Sequence, residues 1–290
     1  MKFSKLQGLG NDYIVIDEMQ KTIIPEEKKG IVAKTLCQQK FSIGADGILF
    51  VCPPTHAEAD IRMRIFNADG SEAEMCGNGI RCFAKYVYEK GILKKSQMKV
   101  ETLAGIKVPT LTITSGKVAS IRVDMGMPQF LRSEIPMKGP NSKVINEELK
   151  VKNDKYSVTC LSVGNPHCVI YVEDLDKLNI EQGRLIEHHE VFPKKINVEF
   201  VKVLNKGEIK MRVWERGVGE TLACGTGSCA AAVASVLNKY TDRKVLVHLL
   251  GGDLEIFWDE TTNHVYMIGT AAYVFDGEID LKVNGKVISS

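Results

Sequence analysis

The stretches Asp60-Ile-Arg-Met-Arg-Ile-Phe-Asn67 and Glu208-Ile-Lys-Met-Arg-Val-Trp-Glu215 repeat one another at an offset of 148 residues. In both, apolar residues alternate with polar ones, the period-two pattern of a strand with one buried face. At the same offset, Met75-Cys-Gly-Asn-Gly79 aligns with Ala223-Cys-Gly-Thr-Gly227. Each copy therefore predicts a strand, a polar turn and then a Cys-Gly-x-Gly step.

The repeat continues upstream of these octamers. Ile48–Val51 matches Val198–Val201 at an offset of 150, and Gly10-Asn11 matches Gly164-Asn165 at an offset of 154. Small loop insertions would produce this drift, and an ordered series of matches is not expected by chance. We therefore predict two structurally equivalent halves that arose by duplication.

Each Cys-Gly-x-Gly step is predicted to open a helix. In the first copy, apolar residues between Ile80 and Tyr88 share one face, and Gly91 is a natural stop. In the second copy, the run from Cys229 to Leu237 is apolar almost all round, which indicates a helix enclosed by strands.

Short strand-like runs separated by Gly and Pro dominate the remaining sequence, with one further helix predicted per half, near Glu26–Gln38 and Ile180–His188. This pattern predicts an α+β fold with antiparallel sheets rather than a strict βαβ alternation. The predicted domains are residues 1–120 plus 270–290 and residues 121–269.

Composition narrows the class of protein. The 290 residues are 44% hydrophobic and 26% charged, which is typical of a globular chain, and the formal net charge is +2. A net charge this small gives no indication of binding to nucleic acid or to an anionic membrane. The sequence also lacks the run of about 18 apolar residues that a membrane span needs. Without a secretory apolar segment at the start we expect a cytoplasmic protein. Its eight cysteines contain no C-x-x-C pair and are expected to be free thiols.

The Cys-Gly-x-Gly steps suggest acid–base chemistry. A cysteine at a helix N-terminus lies beside unpaired N–H groups and a partial positive charge, which lower its thiol pKa. The glycines let a carboxylate or phosphate approach the backbone. If the halves pack about a pseudo-twofold axis, one thiol would face each side of a ligand in the cleft between them, as stereoinversion requires. The sequence has no metal-ligand spacing, dinucleotide fingerprint or P-loop, so we expect neither metal nor cofactor.

Two other classes stay open from the residues alone. In a thiol redox switch, Cys76 and Cys224 would alternate between dithiol and disulfide, although redox dithiols usually lie within a few residues of each other. In a carboxylate-binding module, the two helix N-termini would bind a ligand beside inert thiols.

At these residues the sequence resembles the diaminopimelate epimerase family. The matching motifs occur in order over nearly the whole chain, from residue 1 to about 280. They are Gly8-Leu-Gly-Asn-Asp12, Phe66-Asn-Ala-Asp-Gly-Ser71, Cys76-Gly-Asn-Gly79, Gly164-Asn-Pro-His167, Asn197, Trp214-Glu-Arg-Gly217 and Ala223-Cys-Gly-Thr-Gly227. Similar enzymes that act on proline have His where this chain has Asn78, so a related two-cysteine racemase with another substrate is the alternative.

The resemblance implies two pseudo-symmetric domains, each an antiparallel or mixed barrel-like sheet around a central helix. It implies interconversion of LL- and meso-2,6-diaminopimelate in lysine biosynthesis by a homodimer, without a cofactor. By this likeness Cys76 and Cys224 are the catalytic thiols, His167 tunes one of them, and Glu215 takes the reacting ammonium. The implied substrate-binding residues are Asn11, Asn67, Gly77, Asn78, Asn165, Asn197, Glu215, Arg216, Gly225 and Thr226.

One position departs from the family. Some members have a polar amide in the segment that here reads Gly44-Ala-Asp-Gly47, and the internal repeat makes Gly47 the counterpart of Asn197. We therefore expect that substrate contact to be missing or replaced.

Overall fold

The chain forms two units in a computed structural model that describes residues 1–280, 282–283 and 286–287. The first unit comprises Met1–Val123 together with the described residues from Gly269 onward, and the second comprises Asp124–Ile268. None of the helices in these residues combines the length and apolar character needed to cross a bilayer.

Residues 1–124 form nine strands and two α-helices. The strands are β1 (Lys2–Gly8), β2 (Asn11–Asp17), β3 (Gly47–Cys52), β4 (Ile61–Asn67), β5 (Glu72–Ala73), β6 (Val100–Thr102), β7 (Gly105–Lys107), β8 (Thr110–Thr114) and β9 (Lys117–Asp124). The helices are α1 (Lys29–Leu36), which a 3₁₀ turn at Glu26–Lys28 precedes, and α2 (Gly77–Glu89).

The second unit repeats this order of elements. Its strands are β10 (Val144–Val151), β11 (Asp154–Ser162), β12 (Pro166–Tyr171), β13 (Asn197–Asn205), β14 (Glu208–Glu215), β15 (Gly219–Thr221), β16 (Lys244–Leu249), β17 (Gly252–Trp258) and β18 (Val265–Gly269). Its helices are α3 (Gln182–Glu187) and α4 (Gly225–Leu237). The chain then continues through β19 (Ala272–Glu278), β20 (Lys282–Val283) and β21 (Lys286–Val287).

Both units contain mixed sheets. The first has the strand order β19-β1-β2-β3-β4-β6-β7, and the second contains the order β10-β11-β12-β13-β14-β16-β17-β18. Parallel pairs occur at β2–β3 and β4–β6, and again at β12–β13 and β14–β16. The sheets therefore contain both antiparallel and parallel pairs, and the mixed form that the resemblance implies is confirmed. Each parallel pair needs a crossover, and the four helices supply one each.

One helix covers each face of each sheet. In β2, Ile14 and Ile16 share a buried core with Val32 of α1, so Tyr13 points to the opposite face, where α2 packs. In β13, Val198 and Phe200 lie in the core that includes Ile186 of α3. Glu199 between them therefore faces α4.

The two helices that begin at Cys-Gly-x-Gly are the central ones. Residues 78–87 of α2 and 227–235 of α4 are buried along their whole length. Gly91 has φ +76° just beyond α2, which is the conformation of a helix-ending glycine. The predicted α+β fold with a central helix in each half is confirmed.

A buried ion pair fixes the connection between β2 and α1. The ammonium of Lys29 is fully buried and lies 2.5 Å from Glu18 Oε2 and 4.3 Å from the centre of the Phe50 ring. The other oxygen of Glu18 accepts hydrogen bonds from the N–H groups of Ile23 and Ile24. Glu18 therefore satisfies a buried cation and two backbone donors at once.

Replacing Glu18 should cost far more stability than replacing a surface partner. Glu18→Gln leaves the buried Lys29 ammonium with only the exposed carboxylate of Glu26, 3.4 Å away, so the free energy of unfolding in urea should fall by about 3 kcal/mol. Glu148→Gln breaks the exposed pair with Lys155 and should change it by less than about 1 kcal/mol. Similar losses for the two variants would contradict this assignment.

Candidate active site

Cys76 and Cys224 occupy the same position in the two units, the N-cap of α2 and of α4. Both have extended backbone, with φ −140° and ψ 125° at Cys76 and φ −127° and ψ 114° at Cys224. Each thiol accepts a hydrogen bond from the N–H group three residues on, Gly79 or Gly227, at 3.4 Å. Sulfur here takes the role that a serine or aspartate oxygen has in an ordinary cap.

The third residue of each helix is a glycine, and the space for a side chain is tight at Gly227 and only just sufficient at Gly79. A Cβ at Gly227 would lie 2.8 Å from Glu199 Oε1 and 3.3 Å from Cys224 Sγ. A Cβ at Gly79 would lie 3.4 Å from both Cys76 Cβ and Leu49 Cδ2. The final glycine of each Cys-Gly-x-Gly step therefore lets the thiol fold back onto the helix end.

The first unit brings Asn11 and Asn78 together beside Cys76. Asn78 Nδ2 donates to Asn11 Oδ1 at 2.5 Å, and Asn11 Nδ2 donates to Asp46 Oδ2 at 3.2 Å. Arg81 Nη2 donates to Asn78 Oδ1 at 2.9 Å, which fixes the orientation of that amide. The Gly-Asn turn before β2 is thus joined to the start of α2.

Gly47 and Asn67 lie directly opposite each other in the β3–β4 pair. Asn67 Nδ2 donates to Ser71 Oγ at 3.0 Å, within the turn that leads to β5. A Cβ at Gly47 would lie 2.8 Å from the carbonyl oxygen of Phe66. Backbone therefore occupies the space around residue 47, which accounts for the absence of a polar side chain there.

The second unit brings Asn165, His167 and Glu199 into one buried network. His167 and Glu199 are fully buried, and His167 Nδ1 lies 2.7 Å from Glu199 Oε1. His167 Nε2 lies 2.9 Å from Asn165 Oδ1. His167 is thus a core residue, the second residue of β12.

Asn197 connects this network to the turn that carries Arg216. Its Nδ2 donates to the carbonyl oxygen of Pro166 at 2.8 Å, and its Oδ1 accepts from the N–H group of Arg216 at 2.9 Å. The guanidinium of Arg216 is exposed and donates through Nη1 to the carbonyl oxygen of Lys194 at 3.2 Å.

The electrostatics at Cys224 oppose what a helix N-terminus alone predicts. Burial raises the pKa of this thiol well above its usual value, and the nearby carboxylates of Glu215 and Glu199 raise it further. The hydroxyl of Thr226 and the N–H group of Gly227 favour the thiolate but do not outweigh these effects. Cys224 is therefore held as a neutral thiol.

Sequence reasoning missed two residues, Glu199 and Tyr13. Burial raises the pKa of Glu199, and its Oε2 has no hydrogen-bond partner among the described residues. The Tyr13 hydroxyl lies 3.0 Å from Cys76 Sγ. The internal repeat could have revealed both residues. At an offset of 150 residues Glu199 aligns with the apolar Leu49, and at an offset of 154 residues Tyr13 aligns with His167.

None of the other six cysteines occupies the N-cap of a described helix. Cys82, Cys168 and Cys229 are buried in the core, and Cys160 is directly opposite Cys168 in the β11–β12 pair. Burial raises the pKa of Cys37 to about 12. Throughout residues 1–280, no group of three or more His, Cys, Asp or Glu side chains is placed to hold a metal ion.

Comparison with known proteins identifies the family. A sequence model described as diaminopimelate epimerase matches residues 3–131 and 159–274. The chain belongs to the diaminopimelate epimerase family. A diaminopimelate epimerase from Pelotomaculum thermopropionicum is 54% identical over 279 residues, which cover 96% of this chain and 98% of the relative. One from Moorella thermoacetica is 51% identical over 282 residues, covering 97% and 100%.

Solved structures with much lower sequence identity share the fold of this family member. A phenazine biosynthesis protein of the PhzF family from Bacillus anthracis matches with a TM-score of 0.69 at 20% identity, covering 96% of this chain and 98% of that chain. A hydroxyproline epimerase from Agrobacterium vitis matches with a TM-score of 0.70 at 13% identity, covering 96% and 91%. These likenesses support the two-unit, mixed-sheet α+β fold.

Removing the charge of Glu215 should make Cys224 more reactive. Because this carboxylate raises the pKa of the Cys224 thiol, Glu215→Gln should increase the thiolate fraction at pH 7.5. Iodoacetamide labelling of the Cys224 peptide, followed by mass spectrometry, should then be at least about threefold faster. Glu220→Gln, in the adjacent β15, breaks a surface pair with Arg212 and should leave the rate unchanged. Slower or equal labelling in Glu215→Gln would contradict the proposed influence of the carboxylate.

Proposed function

We propose that this chain interconverts LL- and meso-2,6-diaminopimelate, using Cys76 and Cys224 as the two acid–base groups. The observation that carries the proposal is the equivalent capping of α2 and α4 by these two thiols in a member of the diaminopimelate epimerase family. The reaction would serve lysine biosynthesis.

The chemistry needs one base and one acid at a single α-carbon. A thiolate takes the α-proton, so the C–H bond breaks as an S–H bond forms. The other thiol delivers its proton to the opposite face and becomes the new thiolate. The substrate is thereby inverted, and the two thiols have exchanged protonation states.

The first turns of both helices offer donors for the carboxylate of the reacting centre. Backbone hydrogen bonding within α2 starts with the Ile80 N–H group, and within α4 with that of Ser228. The N–H groups of Gly77 and Asn78, and of Gly225 and Thr226, precede these bonds and are the donors we assign to the substrate. They would also stabilise the negative charge that develops as the α-proton leaves.

The remaining predicted residues suit the other polar groups of diaminopimelate. Asn11 and Asn197 each use one amide N–H within the protein, and a primary amide has a second to offer. The exposed guanidinium of Arg216 suits the distal carboxylate, which it can bind through two parallel hydrogen bonds. We assign Asn67 and Asn165 to substrate binding with them, Glu215 to the reacting ammonium, and His167 to tuning a thiol.

Substitution of either thiol should abolish inversion. In deuterated water the protein should convert LL-diaminopimelate to the meso isomer with solvent deuterium at the inverted α-carbon, as followed by NMR. Cys76→Ala and Cys224→Ala should each lower kcat by at least about 100-fold, the lower range for loss of a general acid or base. Cys52→Ala, which removes a half-buried thiol outside the assigned site, should retain the wild-type rate. A folded Cys76→Ala or Cys224→Ala variant with wild-type activity would refute the two-thiol mechanism.

We also propose that the chain works as a homodimer in the cytoplasm. Strand β19 lies at the edge of its sheet and exposes Val274 and Phe275, 54% and 47% accessible, which is a typical self-association surface. All eight cysteines are free, and a reducing compartment keeps thiols in that state. Sedimentation equilibrium that returns the single-chain mass of 32.1 kDa would contradict the dimer. A disulfide in protein trapped from cells would contradict the location.

A further inference from the structure

Tyr13 is in direct contact with one of the two N-cap thiols. Its side chain is 4% exposed, and its hydroxyl oxygen lies 3.0 Å from Cys76 Sγ. Its ring carbon Cζ is 3.7 Å from the position that a Cβ would take at Gly79. The ring therefore packs against the start of α2 while the hydroxyl reaches the sulfur.

The strand register explains why this tyrosine reaches the thiol. Tyr13 is opposite Gly47 in the parallel β2–β3 pair, and His167 is opposite Asn197 in the equivalent β12–β13 pair. Both units thus place a polar aromatic ring at the same point on the face that carries the central helix. Duplication has preserved the position, whereas the chemistry of the side chain differs.

The protonation state of Tyr13 determines the direction of its hydrogen bond. Burial raises the pKa of its hydroxyl well above the usual value of 10.0, and negative charge on Cys76, on Cys82 of α2 or on Asp46, which precedes β3, raises it further. The hydroxyl therefore keeps its proton across the physiological range. Toward a thiolate it can only donate, and such charge-assisted hydrogen bonds are about twice as strong as neutral ones.

The groups beside the two thiols also differ in charge. Beside Gly79 the contacts are apolar Leu49 and the neutral Tyr13 ring, whereas beside Gly227 the contact is the carboxylate of Glu199. A thiolate at Cys76 thus has two donors, Tyr13 O–H and Gly79 N–H. Cys224 also has two donors, the Gly227 N–H group and the Thr226 hydroxyl, but the carboxylates of Glu215 and Glu199 beside it disfavour a second negative charge.

We propose that Tyr13 is a positioning residue for Cys76, donating its hydroxyl proton to a hydrogen bond with the thiolate and so holding Sγ charged and oriented to accept the substrate α-proton. Tyr13 keeps its own proton throughout, because the proton that Cys76 gains comes from the α-carbon. This inference rests on the proposed function, since it requires Cys76 to be one of the two acid–base groups.

Tyr13→Phe removes the hydroxyl and keeps the ring. Iodoacetamide labelling of the Cys76 peptide at pH 7 should slow by about tenfold, as loss of a hydrogen bond to a charged group predicts, and should recover toward the wild-type rate near pH 10. The acid side of the kcat/KM profile should move to higher pH. Because the equilibrium between the two isomers is fixed, kcat/KM should fall by the same factor in both directions.

The matched control is Tyr171→Phe. It also deletes a tyrosine hydroxyl, which lies 3.2 Å from the hydroxyl of Ser235 on α4. Cys76 labelling and the pH profile should stay at wild-type values. Where Tyr13→Phe does not fold, 3-fluorotyrosine at position 13, a stronger donor, should speed Cys76 labelling at pH 7 by about twofold to threefold.

Labelling and pH profiles at wild-type values in Tyr13→Phe, or unchanged labelling with the fluorinated residue, would overturn the role of Tyr13. If Cys76→Ala still abolishes inversion under those conditions, the proposed function stands and only this inference fails. If Cys76→Ala retains full epimerisation, the proposed function fails, and the labelling data report separately on the Tyr13–Cys76 hydrogen bond.

Discussion

The hydrogen bond from a helix N–H group to a cysteine Sγ is the interaction on which both half-sites depend. It sets the extended backbone of Cys76 and Cys224, and it requires the close approach that a glycine three residues later allows. The two preceding N–H groups at each helix start lie before the first backbone hydrogen bond of the helix. A reactive sulfur and an anion-binding pair of donors therefore come from one local motif of four residues.

The sheet brings the other groups to that motif. Each central helix is the crossover between two parallel strands, so its first turn lies where a strand ends. Alternation along the neighbouring strands then directs one residue in two toward the helix, which places Tyr13 near Cys76 and Glu199 near Cys224. The fold thus fixes the positions, and single substitutions at those positions set the chemistry.

Duplication has produced two half-sites with one backbone and different electrostatics. Burial, Glu215 and Glu199 raise the pKa of Cys224 and keep it a neutral thiol. Cys76 receives a hydrogen bond from the Gly79 N–H group and has the neutral Tyr13 hydroxyl 3.0 Å from its sulfur. Stereoinversion requires one thiolate and one thiol at the start of each turnover, and in our proposal this difference decides which thiol begins charged.

Much of this could be predicted from sequence, because the repeat marks both helix starts and the alternating pattern marks the strands before them. The parallel strand pairs could not be predicted, because the alternation of apolar and polar residues shows only that one face of a strand is buried. It does not show which strand lies beside it. Glu199 and Tyr13 were missed for a related reason. A glutamate in an apolar strand and a tyrosine beside a turn gain meaning only when register shows that both face the central helix.

Substrate protection tests most directly whether both thiols act on one α-carbon. Labelling of the Cys76 and Cys224 peptides would be measured together as meso-diaminopimelate is added. Both thiols should be protected with the same half-saturating concentration, and L-lysine, which lacks the distal carboxylate, should protect far more weakly. Protection of one thiol alone, or two different half-saturating concentrations, would contradict the two-thiol mechanism.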